Sequence, residues 1–161
     1  MSDLSVLITI YNEEKQIEKC LKSVNFADEI IVILDKCTDG SKKIVKKFTK
    51  KYFSGSWHIE GERRNYGLKK CTKKWILEID ADERVSEDLK IEIINVIKSS
   101  KNDWHKIQVN NFLGNSIINH GWGAYFGKSA YSGLFKKDMK VWGNERVHPK
   151  IILHGVEGYT L

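Results

Sequence analysis

The sequence predicts an α/β fold: a mostly parallel central sheet flanked by helices, with a smaller strand region near the C-terminal end. Three observations carry that prediction. Short apolar runs alternate with amphipathic stretches over the first hundred residues, joined by short connections, which is the pattern of parallel strands and crossover helices. The runs at residues 5–10, 29–34 and 75–79 are dominated by bulky, mostly β-favouring side chains, as in strands covered on both faces. The runs give way to Tyr11-Asn12-Glu13, to Asp35 and to Asp80, so polar groups gather at the carboxyl ends of the strands, where open parallel sheets bind ligands.

The elements follow in order. Residues 5–10 form the first strand, and Asn12 reads as the N-cap of the helix behind it. Ile17, Cys20, Leu21 and Val24 recur at helical spacing. Residues 29–34 are the second strand, ending at Asp35-Lys36-Cys37-Thr38-Asp39-Gly40. A helix then carries Ile44, Val45, Phe48 and Tyr52 inward, with lysines on its other face. Residues 56–59 read as a short third strand, 63–71 as a helix and 75–79 as the fourth strand. Ser86 caps a further helix whose buried stripe is Leu89, Ile93, Val96 and Ile97. Residues 107–112 and 132–135 look like strands. Between them, residues 114–127 are rich in Gly, Asn and aromatics, the composition of a functional loop.

At 161 residues the expectation is one domain, with 41% hydrophobic and 30% charged residues arguing for a globular chain. No run of about 18 apolar residues is present to span a bilayer. No leader pattern precedes the first strand, so a cytoplasmic protein is expected. Cys20, Cys37 and Cys71 are odd in number and lack zinc spacing; they read as reduced thiols. The chain stops at Leu161 without a capping element, which reads as a fragment or a shortened form of something longer.

The fourth strand runs into Asp80-Ala81-Asp82-Glu83-Arg84. Neighbouring carboxylates repel unless a cation lies between them or one takes a proton. Hard oxygen ligands of this kind suit Mg²⁺ or Mn²⁺, with phosphate oxygens completing the shell. The plain alternative is a solvated turn. Two other strand ends add Tyr11, Asn12 and Glu13, and Asp35 and Asp39, while Arg63 and Arg64 bring cations that match phosphate geometry. Glycine-rich dinucleotide and P-loop signatures are absent.

Residues 5–14, Asp35 to Gly40, Arg64-Asn65-Tyr66-Gly67 and Asp80 to Arg84, in that order, resemble the motifs of family-two glycosyltransferases with the GT-A (Rossmann-like) fold. Gly133-Leu134-Phe135-Lys136-Lys137 and Val147-His148 are similar to the subgroup that includes lipopolysaccharide-core enzymes. The resemblance implies a metal-dependent inverting transfer from a nucleotide sugar, a UDP-sugar first of all, to a glycan or lipid-linked acceptor in cell-envelope synthesis. The alternative is a nucleotide-sugar-binding domain or subunit without transfer of its own. By resemblance, residues 1–99 form the nucleotide-sugar half and 100–161 a shortened acceptor half. Tyr11 and Glu13 then border the nucleoside, Asp35 lies at or near the base, Arg64 lies near the diphosphate, Asp80 and Asp82 reach ribose and metal, and Asn12 and Asp39 belong to the same nucleotide-sugar site. Ile10, Lys36-Cys37 and Pro149 depart from the common pattern, at the nucleoside and after the histidine.

The acceptor hydroxyl needs a base. Pro149 stands where relatives often carry Glu, so Glu145 is the first choice and His148 the second; a surface ion pair is the plain alternative for Glu145.

The net charge is +6. Lys42, Lys43, Lys46, Lys47, Lys50 and Lys51 read chiefly as a solvated helix face, with peripheral contact to an anionic membrane as the other reading. No aromatic residues interleave with them as in a nucleic-acid module, so nucleic acid is not an expected partner. The dispersed histidines form no His or Cys/His ligand spacing, so zinc is not expected; His120 and Trp122 fall in the long loop, to stack on a sugar or to plug the loop onto the sheet.

Overall fold

The computed structural model describes residues 3–110, 112–113, 116–117, 130–146 and 149–161. A six-stranded sheet forms the centre, in the order β3-β2-β1-β4-β8-β5. Its strands are β1 (Leu4–Ile10), β2 (Glu29–Asp35), β3 (Tyr52–Gly55), β4 (Trp75–Ile79), β5 (Trp104–Gln108) and β8 (Ala130–Lys136). The pairs β1–β2, β1–β4 and β2–β3 are parallel, and β8 runs antiparallel between β4 and β5. Two small antiparallel pairs complete it, β6 (Phe112–Leu113) with β7 (Ser116–Ile117), and β9 (Lys140–Trp142) with β10 (Ile151–Leu153). This is the mostly parallel, helix-flanked sheet that the sequence predicts.

Strand alternation divides the core between the two faces. Val6, Ile8, Ile10, Val32, Leu34 and Leu77 pack with Ile17, Cys20 and Leu21 of α1 (Ile17–Ser23) and with Ile93 and Val96 of α4 (Glu87–Ser99). Leu7, Ile31, Ile33 and Ile76 pack on the opposite face, against α3 (Glu60–Lys70) and Cys71. Gly67 lets α3 lie directly on the sheet; a Cβ there would come within 2.6 Å of Leu7 Cδ1 and 3.0 Å of Ile33 Cγ1. The three cysteines are free, and burial pushes the Cys20 and Cys71 thiols up to about 12, so they are inert neutral groups.

Five local expectations are corrected. The third strand is β3, not residues 56–59, and Tyr52 opens it instead of closing a helix. The Thr49 hydroxyl donates to Ile30 O at 2.8 Å and accepts from Lys51 N at 3.0 Å, which turns the chain back onto β2 and leaves α2 (Ser41–Val45) a single turn. Asn12 does not cap its own helix: α1 begins after Gln16, and Asn12 Oδ1 accepts instead from Thr38 N at 2.8 Å and Asp39 N at 3.3 Å. The strand expected at residues 107–112 starts at Trp104, because Trp104 and His105 pair with Phe135 and Leu134 of β8. α3 begins at Glu60, ahead of the expected 63, with Glu60 and Glu62 in its positively polarised first turn. Ser86 does cap α4, accepting from Leu89 N at 3.2 Å.

Glu29 fastens the edge of this sheet farthest from the carboxyl ends. Its carboxylate accepts from the Ser5 hydroxyl and the Lys51 ammonium; it also accepts from the amide and from the hydroxyl of Thr72, both at 2.8 Å. Burial pushes this carboxyl up, but those donors more than offset it and bring it down to about 2. A depressed carboxylate contributes stability that is complete above its unfolded value near 4.5 and is lost as pH falls toward 2. Glu29→Gln is therefore expected to lower the unfolding free energy by about 2 kcal/mol at neutral pH and by much less near the bottom of that window. Urea unfolding of both proteins between neutral pH and pH near 2.5 measures it; a pH-independent difference would contradict this role for Glu29.

Candidate functional site

From β1 the chain crosses to β2 on one side of the sheet, and later returns to β4 on the other side of β1. The crevice at such a reversal, beyond the carboxyl ends of β1 and β4, is where open α/β sheets bind ligands. The loops that line it are locked together. Asn12 adopts a left-handed conformation, φ 54°, and its side chain grips the β2–α2 loop through Thr38 and Asp39. Glu13 N donates to Ser41 Oγ at 2.9 Å, Glu14 N to Asp39 Oδ2 at 3.0 Å, and Gly40 N to Glu14 Oε2 at 2.7 Å. Burial raises the Asp39 carboxyl, but the hydrogen bonds from Ser41 and Glu14 win and leave it low. Tyr11 is exposed beside this pair of loops.

Glu13 reports what faces it. Burial, then the charges of Asp82, Asp39 and Asp80, push its carboxyl above the usual range. The ends of β1, β2 and β4 thus bring Glu13, Asp39, Asp80 and Asp82 near enough for their charges to act on one another. Among the described residues no group of three or more His, Cys, Asp or Glu side chains is arranged to cage an ion unaided. Mg²⁺ and Mn²⁺ do not require such a cage, because they bind through one or two carboxylates plus water and substrate phosphates. Asp82, which is exposed, and Asp80, which is shared with Arg64, present oxygen donors of the kind such an ion takes.

The turn after β4 is structured, not merely solvated. Asp80 N donates to Glu83 Oε2 at 3.0 Å and Glu83 N to Asp80 O at 3.1 Å. The Tyr131 hydroxyl donates to Glu83 Oε2 at 2.9 Å, and burial foremost raises the Glu83 carboxyl. Arg84 reaches Ala81 O and Gln16 O, each at 2.9 Å, tying the turn to the start of α1. Asp82 is left exposed. A cavity of about 800 Å³ opens beside it, lined by Asp80, Asp82, Arg84, Leu89, Ile107 and Tyr131 among others.

On the α3 face, Asp35 sits at the end of β2 with both oxygens engaged, Oδ1 by Trp57 N at 3.0 Å and Oδ2 by Arg63 Nη1 at 3.2 Å. Its neighbours carry the open valences. Thr9 Oγ1 and Arg63 Nε are buried without a hydrogen-bond partner. Register pairs Thr9 with Ile33, so Thr9 and Asp35 share a face. Thr9 escapes a sequence reading because it sits inside an apolar run; its signal is the period of two that places it with Leu7, toward α3. Arg64 is fully engaged: Nε meets Glu60 at 2.8 Å, Nη1 meets Glu78 at 3.0 Å and Nη2 meets Asp80 at 3.1 Å, with the guanidinium 4.6 Å from the Trp142 ring centre. Burial acts to lower its pKa, but Glu78 and Asp80 hold it charged.

Glu78 is the inner anchor. It is 2% exposed and also takes Lys140 Nζ at 2.8 Å and Trp142 Nε1 at 3.2 Å. Burial raises its carboxyl, and Lys140 and Arg64 more than offset that. Glu145, past β9, is exposed; its carboxylate accepts from Lys150 N at 3.1 Å, and hydrogen bonds from its own amide and that of Lys150 lower its pKa. No hydrogen bond or ion pair among the described residues ties it to the carboxylate rim. His148, His120 and Trp122 lie outside the described residues.

Residues 5–131 match the sequence model of glycosyl transferase family 2, and the chain belongs to that family. It is 33% identical over 104 residues to an uncharacterized glycosyltransferase of Rickettsia typhi, covering 64% of this chain and 36% of that protein. It is 28% identical over 92 residues to the lipopolysaccharide core biosynthesis glycosyltransferase LpsC of Rhizobium meliloti, covering 54% and 34%. The chain thus spans about a third of the length of these relatives. Its fold is similar to that of S. aureus TarS 1–349 in complex with UDP-GlcNAc, with a TM-score of 0.59 and 24% identity over 71% of this chain and 36% of that one. It is also similar to the mannosyltransferase PcManGT from Pyrobaculum calidifontis in complex with GDP-Man and Mn²⁺, with a TM-score of 0.54 and 18% identity over 68% and 36%.

The buried charges around Glu78 make a stability prediction. Lys140→Met is expected to destabilise by about 3 kcal/mol, because it removes one partner of a buried ion pair. Adding Glu78→Gln should recover part of that loss. Chemical unfolding of the two single variants and the double variant measures the coupling; strict additivity would show that the pair is not a unit.

Proposed function

We propose that this chain is the donor-binding part of a metal-dependent, inverting glycosyltransferase acting on a nucleotide sugar. The observation that carries the reading is the group of acidic side chains at the sheet reversal, where burial first, and then the charges of Asp82, Asp39 and Asp80, raise the Glu13 carboxyl. Family membership and the likeness in fold to structures bound to UDP-GlcNAc and to GDP-Man with Mn²⁺ support it. The acceptor class proposed is a cell-envelope glycan or lipid-linked saccharide. The names of two relatives favour that class, the lipopolysaccharide core enzyme and a poly(ribitol-phosphate) beta-glucosyltransferase of Bacillus spizizenii.

Asp80 and Asp82 would hold Mg²⁺ or Mn²⁺, which supplies positive charge for a diphosphate leaving group. Thr9 Oγ1 and Arg63 Nε are the buried groups left to meet the base, with Asp35 holding Arg63 in place. Tyr11, Asn12 and Asp39 border the nucleoside. Arg64 would orient Asp80, a reading supported ahead of a direct phosphate contact by its engagement with three carboxylates. In an inverting transfer the acceptor oxygen attacks the anomeric carbon, the bond to the diphosphate breaks, and the acceptor proton passes to a base. Glu145 is proposed for that base, with His148 as the alternative. A second reading, a nucleotide-sugar-binding subunit without transfer of its own, draws on the exposed Glu145 carboxylate, which bonds its own hairpin.

Asp82→Asn is expected to abolish Mn²⁺-dependent binding of a nucleoside diphosphate and to leave the melting temperature of the free protein nearly unchanged, since Asp82 is exposed. Calorimetry with UDP and GDP decides it; binding equal to the parent would remove Asp82 from the metal site. Glu145→Gln should lose sugar transfer and keep donor affinity. Normal transfer by that variant together with loss in His148→Ala would give the base role to the histidine, and donor hydrolysis absent in the parent with Mn²⁺ present would favour the binding subunit. Thr9→Val should weaken nucleoside diphosphate binding about tenfold without loss of stability, because its hydroxyl has no partner within the protein. Unchanged affinity would place the base elsewhere.

A further inference from the structure

We infer that the lysine-rich face of the segment 40–59 is a docking surface for an anionic lipid bilayer. This segment holds six lysines, no arginine and no Asp or Glu. Outside it, 21 basic residues balance 21 acidic ones, so the whole net charge of +6 is concentrated in these twenty residues.

Packing turns that charge outward. α2 is continued by turn hydrogen bonds from Phe48 N and Thr49 N, both to Val45 O. Val45 is buried, and Ile44 and Phe48 pack against the core. Lys42, Lys43, Lys46, Lys47, Lys50 and Lys51 are all exposed. Lys51 is engaged with Glu29; among the described residues the ion pairs include none of the other five. Lys47 acts at a distance on Glu18, whose direct partner is Lys22. Lys42 and Lys46 both stand over the Tyr52 ring, 6.0 and 5.9 Å from its centre, so two like charges are held side by side.

The chemistry of the face selects its partner. Lysines present point charges on flexible stems and lack the fork that reads one phosphate group bidentately. They suit the diffuse negative charge of a headgroup layer, where each contributes independently. Phe48 is packed inward and Tyr52 lies under two ammonium groups, so neither ring interleaved with the lysines is free for base stacking, which disfavours single-stranded nucleic acid. No large apolar side chain in the segment is exposed, so attachment is electrostatic and salt-sensitive rather than insertive. The segment begins at Gly40, whose amide bonds Glu14 at the site rim. A bilayer held there suits a lipid-linked acceptor, and to that extent the inference rests on the proposed function.

The test is co-sedimentation of the full chain with phosphatidylcholine vesicles, with and without about 30% phosphatidylglycerol, at about 0.05 and 0.5 M salt. The protein should bind only the anionic vesicles and release at the higher salt. K43Q/K47Q/K50Q should weaken partitioning about a hundredfold, from roughly fivefold per lysine. K69Q/K98Q/K101Q, which removes the same charge from exposed positions elsewhere, should change it by less than about tenfold. Equal effects of the two triples, binding to neutral vesicles, or no binding to anionic ones would overturn the inference. Tighter binding to a single-stranded oligonucleotide at the same salt would overturn it too, and give the face to nucleic acid. The melting-temperature shift on adding UDP with Mn²⁺, read on the parent and both triples, keeps the two readings apart: it should survive in both triples, and its absence from the parent would count against donor binding and not against lipid docking.

Discussion

The carboxylate of Glu78 organises this molecule. It sits in the middle of the sheet, fully buried, and a buried charge persists only when paired and hydrogen-bonded. Arg64 from α3, Lys140 and Trp142 from β9 supply that pairing. The same Arg64 extends past Glu78 to Asp80, so the requirement to neutralise an interior charge also fixes one of the two carboxylates at the strand end. Gly61 completes the arrangement by letting α3 meet the β9–β10 hairpin; a Cβ there would lie 1.8 Å from Gly143 O.

The opposite electrostatic condition holds a few ångströms further out. Inside, positive and negative groups are matched. At the rim, Glu13 is pushed up by burial and then by the charges of Asp82, Asp39 and Asp80, and of these Asp80 is paired with Arg64. The protein holds this unfavourable cluster with two tied loops and a bonded turn, through Asn12, Glu14, Glu83 and Arg84. A ligand that brings positive charge relieves the repulsion, which is why the rim reads as a site.

The fold was legible wherever burial alone sets the pattern. β4 spans Trp75–Ile79 as expected, because a doubly covered strand shows as an apolar run bounded by polar residues. The sequence misled where a tertiary hydrogen bond overrides local spacing. Tyr52 keeps helical spacing with Val45 and Phe48, yet Thr49 fastens the chain to Ile30 and makes it a strand. Asn12 has the chemistry of a cap and uses it on a neighbouring loop. The rim acids could be named from their places at strand ends, but not their partners. That Asp35 is sealed by Trp57 and Arg63, that Arg64 faces inward, and that Thr9 is left open all depend on side chains far apart in sequence.

On the proposed function, the rim forms half of a cation site, which a nucleoside diphosphate completes. Calorimetric titration of Mn²⁺ into the protein, alone and with saturating UDP or GDP, tests it most directly. Two carboxylates without a protein cage should bind Mn²⁺ weakly by themselves and at least about tenfold more tightly with the nucleotide that fits. Mn²⁺ affinity unmoved by either nucleotide would contradict the account.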